Sequence, residues 1–243
     1  MFVCPSCEGI FENVYDSPAE ETVVTRAGQL YLDASDWEEW HYIDFDALAD
    51  SIAANEDYNT SLAWQTCGIP LSGASPDGRS GIYTYWYDVF GVGIENSEFQ
   101  SYSETSAQEE PEKWSLAIHR NNVRLNGGAA APTDYKEIDE LPETKDFLTS
   151  LEFVGDEWNE KDVWVFREKM LSGIVGNQGI EINQVLSSWL SMDIPPMPPA
   201  FTRDSRVFIV KFPNGRHAAL QLQDYVSAAG VKCCLTINYK YPL

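Results

Sequence analysis

Basic residues are scarce in this chain of 243 residues, which carries 16 lysines and arginines against 38 aspartates and glutamates and has a formal net charge of −22. A surface this acidic repels phosphate backbones over about 8 Å, the Debye length at physiological salt. The charge balance therefore argues against nucleic acid as a partner. It also means that an anionic ligand needs local basic groups or strong apolar contacts to overcome the surrounding field.

Long apolar runs and catalytic motifs are missing as well. No run approaches the roughly 18 apolar residues that a membrane-spanning helix needs, so we predict that no segment crosses a membrane. The sequence contains no G-x-S-x-G motif, no phosphate-binding loop and no H-E-x-x-H motif. We therefore predict that the protein is not an enzyme. Of the three histidines, His119 follows a strand-like stretch, and we interpret it as a structural hydrogen-bonding residue.

The five cysteines are an odd number and do not form a disulfide pattern. Cys233 and Cys234 are adjacent in a strand-like stretch, which predicts buried thiols on opposite faces. Cys4 and Cys7 form a C-x-x-C motif, but no second cysteine or histidine pair follows at the spacing of a zinc site. We therefore do not expect zinc.

The N-terminal segment has the features of a lipoprotein. Ser6 precedes Cys7 as at a lipoprotein cleavage site, and the polar, acidic stretch that follows suits a flexible tether. We predict that residues 1–22 are the remnant of an export signal and a tether, that Cys7 carries the lipid, and that this anchor is the protein's only link to a membrane.

Apolar residues alternate with polar ones in several stretches, as in β-strands. Trp114, Leu116 and Ile118 alternate before a turn at 126–128, and a hairpin and a last strand occupy 206–242. We predict an all-β protein in which these stretches form one antiparallel sheet system, with helix limited to short pieces. One such helix is expected at Phe45–Ala54, with Asp44 or Asp46 as its cap.

Two further stretches have unusual composition. The run at 82–87 is aromatic on both faces, which predicts either burial on both sides or an exposed aromatic strip. Residues 100–112 are polar and acidic, and we predict a mobile loop there.

These stretches together resemble the HmuY family, the haem-binding lipoproteins of Bacteroidetes bacteria. The matching elements are W-S-L-A-I-H-R-x-x-V-R-L-N-G-G from Trp114, R-V-F-I-V-K-F-P-N-G-R-H-A-A-L-Q-L-Q-D-Y from Arg206, the closing L-T-I-N-Y-K-Y-P, and L-D-A-S-D-W-E-E-W-H-Y-I-D-F from Leu32. The resemblance implies a HmuY-like β domain over residues 23–243. Residues from about 55 to 110 have no counterpart in the motifs and are predicted to be an insertion.

The resemblance also implies a haem site with two axial ligands on loops near the central strands, where His or Met can serve. The family's second ligand position falls near Ile194, which is flanked by Met192 and Met197. The first lies between Asp162 and Met170. The resemblance thus suggests Met170 with Met192 or Met197 as the iron ligands. The alternative is that these methionines only fill gaps in the core.

The rest of the functional prediction follows from the same resemblance. Arg167 or Lys169 would meet the haem propionates, and the lipid-anchored protein would capture haem at the outer surface of the cell. Its partners would be haem, host haemoproteins and an outer-membrane transporter. As an alternative, the protein has lost haem and binds another protein, or binds a glycan on an aromatic platform made by Tyr83, Tyr85, Trp86 and Tyr87.

Overall fold

The computed structural model describes residues 28–54, 64–67, 81–105, 110–142, 144–166 and 169–243. Within these ranges the α-helices are short: α1 is Phe45–Ala54, α2 is Lys145–Ser150 and α3 is Gln184–Ser187. None of the described helices has the length and apolar character needed to cross a membrane. Antiparallel strands make up most of the rest, which confirms the predicted all-β class.

The described strands are numbered in chain order. They are β1 Gln29–Asp33, β2 Trp40–Ile43, β3 Trp64–Cys67, β4 Gly81–Asp88, β5 Gly93–Glu104, β6 Leu116–His119, β7 Asn122–Leu125, β8 Ala129–Pro132, β9 Val154–Gly155, β10 Glu157–Asn159, β11 Trp164–Phe166, β12 Ile174–Gln178, β13 Ile180–Ile182, β14 Leu190–Asp193, β15 Ala200–Arg203, β16 Phe208–Lys211, β17 His217–Val226 and β18 Lys232–Lys240.

The strands form one large sheet and several smaller ones. The six-stranded sheet has the order β1-β18-β17-β16-β8-β9, and two four-stranded sheets have the orders β3-β2-β6-β7 and β11-β12-β4-β5. Two hairpin-sized sheets, β10-β13 and β14-β15, complete the set among the described residues. Neighbouring strands are antiparallel throughout.

One hydrophobic cluster, which we call the main core, joins the six-stranded sheet to the sheet that contains β6 and β7. Leu220 and Ile237 from the first sheet share it with Leu116 and Ile118 from the second. The prediction that residues 114–125 and 206–242 belong to a single sheet system is therefore wrong. The two stretches lie in different sheets, which share the main core. The reason is that each sheet needs a second layer to cover its apolar face.

The sheet that contains β6 is covered on both faces. The alternation of residues predicts a strand with one buried face, but every residue of β6 is buried. Leu116 and Ile118 belong to the main core, whereas Ala117 packs with Trp40 and Ile180 in a separate cluster. Because side chains alternate along a strand, this division places the two clusters on opposite faces of β6.

Helix α1 begins where the sequence predicted it. The Asp44 carboxylate accepts hydrogen bonds from the backbone N–H groups of Asp46, at 3.0 Å, and Ala47, at 3.2 Å, so Asp44 is the cap. Asp46 instead pairs with Arg216, at 2.6 Å, and accepts from the Tyr241 hydroxyl. That hydroxyl hydrogen bond is the main reason why the pKa of Asp46 is lowered. The helix is thereby tied to the β16–β17 turn and to the end of the chain.

His119 is fully buried at the end of β6, and its Nε2 lies 2.9 Å from the carbonyl oxygen of Trp37. Burial lowers the pKa of His119 to about 4, so the ring is neutral and donates this hydrogen bond. Arg120, the next residue, donates to the Ser35 carbonyl and lies 3.7 Å from the Trp37 ring centroid. The interpretation of His119 as a structural residue is confirmed.

Cys233 and Cys234 are buried and free, as predicted. Burial raises the pKa of Cys233 to about 11, so its thiol stays protonated and unreactive.

Strand β5 extends to Glu104, so the loop predicted from Gln100 is wrong for its first residues. Polar residues are tolerated in β5 because it is the edge strand of its sheet and is mostly exposed. Strands β4 and β5 fall within the predicted insertion and pair with each other, and β4 also pairs with β12, while the bounds of the insertion stay a prediction. Cys7 and the predicted tether at 1–22 lie outside the described residues.

Candidate functional site

Three connections meet at one end of the β11-β12-β4-β5 sheet, and we call this region the loop end. They are the β4–β5 turn at 89–92, the 3-10 turn at Met170–Ser172 before β12, and the β14–β15 loop at 194–199. The Tyr87 N–H donates to the Gly173 carbonyl at 2.7 Å, which joins the first two connections. At Gly93, which has φ +68°, a Cβ atom would overlap the Ile194 carbonyl, so glycine lets the third connection lie against the first.

All three candidate iron ligands are at the loop end. Met170 lies in the 3-10 turn, Met192 on β14 and Met197 in the loop that follows it, and all three are partly buried. Each packs against one hydrophobic cluster that contains Ile194, three tyrosines of β4 and Trp164 of β11. The fold therefore brings Met170 to the same cluster as Met192 and Met197, which share one hairpin, while the role of all three as ligands stays a prediction.

Stacked aromatic rings, which we call the floor, belong to the same cluster. The ring of Tyr87 stacks on Tyr85, with centroids 6.0 Å apart, and on Trp164, with centroids 5.5 Å apart. The Tyr87 hydroxyl donates to the Lys161 carbonyl at 3.1 Å, and the Tyr85 hydroxyl donates to Glu160 at 2.6 Å. Burial raises the pKa of both tyrosines, so the floor is apolar and uncharged at neutral pH.

Burial of the floor also corrects one prediction. Tyr83, Tyr85 and Tyr87 point to one face of β4 and are buried there, while Trp86 on the other face is partly buried. The glycan platform predicted from these four residues is therefore wrong, because three of the rings are covered by the protein itself.

Sequence reasoning missed a group of exposed apolar residues that surrounds the methionines, and we call it the rim. Phe90 is 67% exposed, Val92 is 54% exposed and Leu171 is 70% exposed, although all three are hydrophobic. Exposed apolar patches of this kind mark binding sites for ligands or proteins. The signal was present in the sequence as V-F-G-V-G at 89–93, where hydrophobic residues occupy a turn that is ordinarily polar.

The loop end has little basic charge to offer. Lys169 is exposed and directly precedes Met170, while its role as a propionate partner stays a prediction. Arg167, the other predicted propionate partner, lies outside the described residues. The Asp88 carboxylate accepts hydrogen bonds from the N–H groups of Gly91 and Val92. It therefore stabilises the β4–β5 turn, which carries Phe90 and Val92.

A cavity of about 200 Å³ lies beside Met192 and Trp164 and is otherwise lined mainly by polar side chains such as Asn121 and Ser191. This volume is below the roughly 300–1,000 Å³ of pockets that enclose a drug-sized ligand. In the described part of the chain, no cluster of three or more His, Cys, Asp or Glu side chains has the geometry of a metal site.

The fold is that of an antiparallel β protein, and the loop end carries an apolar cluster against which three methionines pack. The sequence model of the HmuY protein family matches residues 36–239. The chain therefore belongs to the HmuY family, which confirms the resemblance read from the motifs. A search of curated proteins finds no significant match.

Solved structures of similar proteins agree with this assignment. A Bacteroides vulgatus protein classed as HmuY-like and haem-binding has 26% identity and a TM-score of 0.56, with 88% of this chain and 91% of that chain covered. An apo HmuY analogue from Tannerella forsythia has 20% identity and a TM-score of 0.62, with 88% and 95% covered. A Bacteroides fragilis protein classed as a lipoprotein has 23% identity and a TM-score of 0.61, with 91% and 94% covered. The last two likenesses concern the fold alone.

Proposed function

We propose that this protein binds haem at the loop end and captures it for uptake, with Met170 and either Met192 or Met197 as the axial ligands. The observation that carries the proposal is the convergence of three thioethers on one apolar cluster bordered by exposed hydrophobic residues. Family membership and the haem-binding relative support the choice of ligand. Bound haem would supply an iron centre, and two protein ligands on that iron leave no open position for oxygen chemistry.

The residues of the loop end suit an apolar macrocycle with acidic substituents. The rim offers a ring face and aliphatic groups to the porphyrin, and the buried ring faces of the floor would become available to it only if the β14–β15 loop moves. Lys169, which is exposed, would meet a propionate, and Arg167 is the second candidate for that role. Because the cavity beside Met192 is smaller than a porphyrin, binding requires the β14–β15 loop to move away from the floor.

The proposal includes a place in the cell and partners. With a lipid on Cys7 the protein would sit at the outer surface, take haem from haemoproteins and pass it to an outer-membrane transporter. The fold likeness to a protein classed as a lipoprotein supports this location. Metabolic labelling with a fatty-acid analogue tests the anchor, because Cys7→Ser would abolish incorporation if Cys7 carries the lipid.

The direct test is titration of the purified protein with haemin, followed by the Soret band. We expect a shifted, sharpened band, and tighter binding of ferrous than of ferric haem because thioether sulfur is a soft, neutral donor. Met170→Leu keeps the side-chain volume and removes the sulfur, so it separates ligation from packing.

Met170→Leu should weaken haem affinity by at least about 10-fold, since even changes around the ligands of a metal cost about 10–100-fold. Met192→Leu and Met197→Leu should differ, because only one of them removes the second ligand. The proposal is overturned if wild-type protein gives no haem spectrum, and the ligand assignment is overturned if all three variants keep it.

One observation favours a second candidate, binding of another protein without haem. Phe90 and Leu171 are exposed enough to form a contact surface by themselves. In that case haemin would give no Soret shift, and Phe90→Ser with Leu171→Ser would abolish capture of the protein partner. Retention of haem by the wild-type protein would decide for the first candidate.

A further inference from the structure

Two asparagines of this chain are followed directly by glycine, Asn126 and Asn214, and both are exposed in turns. Asn-Gly pairs favour tight turns because both residues tolerate the left-handed backbone conformation. The same pair is chemically labile. Because glycine has no side chain, its backbone nitrogen can approach the side-chain carbonyl carbon of the asparagine before it. The surroundings of the two pairs differ in ways that bear on this reaction.

The side chain of Asn214 is held over the residues that follow it. Its Oδ1 accepts a hydrogen bond from the Arg216 N–H at 2.9 Å, which is an Asx turn. This N–H points at the oxygen on which negative charge develops when a nucleophile attacks the carbonyl carbon, so it favours that attack. The Gly215 N–H donates to the Phe212 carbonyl at 2.9 Å, and it must leave this bond before its nitrogen can attack.

The turn at Asn126 has less room to rearrange than the turn at 213–216. Gly128, two residues after Asn126, is buried, and a Cβ atom on it would lie 2.9 Å from the Lys211 carbonyl oxygen. Residues 213–216 are all exposed, and a Cβ atom on Gly215 would meet no atom of the described residues within 4 Å. The exposed turn can therefore open and close the ring that the reaction requires.

We propose that Asn214 is a site of spontaneous deamidation. The Gly215 nitrogen loses its proton to hydroxide and attacks the side-chain carbonyl carbon of Asn214, which closes a five-membered succinimide ring. The amide nitrogen takes a proton from water and leaves as ammonia. Water then opens the ring to aspartate or isoaspartate, so that one water is consumed and one ammonia is released. The product carries a carboxylate where the chain had a neutral amide.

The new carboxylate reverses a contact that joins this turn to helix α1. In the unmodified chain, the Asn214 Nδ2 donates to the Asp46 Oδ2 at 3.2 Å, beside the ion pair of Asp46 with Arg216. A carboxylate at position 214 cannot donate, repels Asp46 and competes with it for Arg216. Deamidation therefore loosens the start of α1 from the β16–β17 turn. The inference does not depend on haem binding at the loop end.

Prolonged incubation of the purified protein at mildly alkaline pH, followed by peptide mapping, tests the site. We expect the peptide that contains Asn214 to gain the mass of an amide converted to an acid, and to become a substrate of isoaspartate methyltransferase. The peptide that contains Asn126 should change more slowly. Asn214→Gln is the matched control, since its longer side chain does not close a five-membered ring. No conversion at Asn214, or faster conversion at Asn126, would overturn the proposal.

Asn214→Asp carries the charge of the product from the start and tests the effect on α1. Its melting temperature should be lower than that of the wild-type protein by about 2–4 °C, the shift that loss of one ordinary hydrogen bond causes in a domain of this size. Amide groups of α1 should also exchange hydrogen faster. Combined with Asp46→Asn, the substitution should cause no further shift, because no like charge remains at position 46. An equal shift with and without Asp46→Asn, or no shift in either, would overturn the link between deamidation and α1.

Discussion

The main core and the loop end use hydrophobic side chains in opposite ways. In the main core, Phe208, Leu220 and Ile237 are fully buried between two sheets. At the loop end, Phe90 and Leu171 are exposed although they are equally apolar. Complete burial stabilises the fold, whereas exposed apolar groups add nothing to it and are retained where something else covers them. The two regions therefore differ in how much of their apolar surface the protein itself covers.

The main core and the loop end also differ in the types of hydrophobic residue that they contain. The main core contains no methionine, whereas Met170, Met192 and Met197 all pack at the loop end. Leucine, isoleucine and phenylalanine have few rotamers and specify one packing arrangement, while methionine is flexible and adapts to different neighbours. Flexible methionine side chains suit a region whose loops would separate to admit a ligand and then close again.

The largest expected effect comes from the main core. Phe208→Ala should lower the free energy of unfolding by about 3–5 kcal/mol, because it leaves a cavity where a fully buried ring was. Urea unfolding followed by tryptophan fluorescence measures this change. A loss of less than about 1 kcal/mol would mean that the two sheets do not depend on their shared core.

His119 should make the core sensitive to acid. Its pKa is about 4 in the folded protein and 6.5 in the unfolded chain, so the unfolded state binds the proton more readily. The stabilisation is complete above pH 6.5 and is lost as the pH falls towards 4, by up to about 3 kcal/mol. Unfolding free energies at several pH values in this window measure it.

The matched variant for that experiment is His119→Gln, whose side-chain amide can still donate to the Trp37 carbonyl. Its stability should depend less on pH than that of the wild-type protein between pH 4 and 6.5. His217→Gln is the control, because His217 is only partly buried. Equal pH dependence in wild type and His119→Gln would contradict the assignment.

Met170→Ala tests whether Met170 contributes mainly to the stability of the fold or to haem binding. Because Met170 is only partly buried, the variant should lose less than the roughly 2–5 kcal/mol that fully buried methionines cost. Its haem binding should nevertheless decrease sharply if Met170 is a ligand. A full core-sized loss of stability would show that this methionine belongs to the fold and would weaken its assignment to the iron.

The smallest expected effect on stability comes from the rim. Phe90→Ser should change the free energy of unfolding by less than about 0.5 kcal/mol, because the exposed ring loses little contact. Haem affinity, measured by the Soret titration, should fall if the ring covers the porphyrin. A variant that is strongly destabilised would show that the rim supports the fold, and the contrast between the two regions would then fail.

Much of the fold could be predicted from local patterns in the sequence. Alternation predicted the hairpin of β16 and β17 and the last strand β18, and a capping aspartate, Asp44 or Asp46, predicted the start of α1. These features depend on neighbours in sequence, since strand periodicity and helix capping are local. The methionines were found in the same way, with the family motifs indicating where in the chain to look.

Other features depended on contacts between distant parts of the chain. Alternation could not tell that both faces of β6 are covered, because it shows which residues share a face and not what packs against that face. For the same reason, the sequence alone could not decide whether Tyr83, Tyr85 and Tyr87 are buried or form an exposed strip. The rim is formed by residues from two separate turns, so it exists only once the strands have been placed.

The sequence alone determined the acidic surface, the β class, the family and the three candidate ligands, because composition, periodicity and motifs are properties of the chain itself. Only the tertiary structure decided that Met170, Met192 and Met197 meet at one end of a sheet, where Gly93 allows the β14–β15 loop to approach the β4–β5 turn. It also decided which hydrophobic residues are covered and which are exposed. The physical reason is that burial is set by the arrangement of whole sheets, whose contacts join residues far apart in sequence.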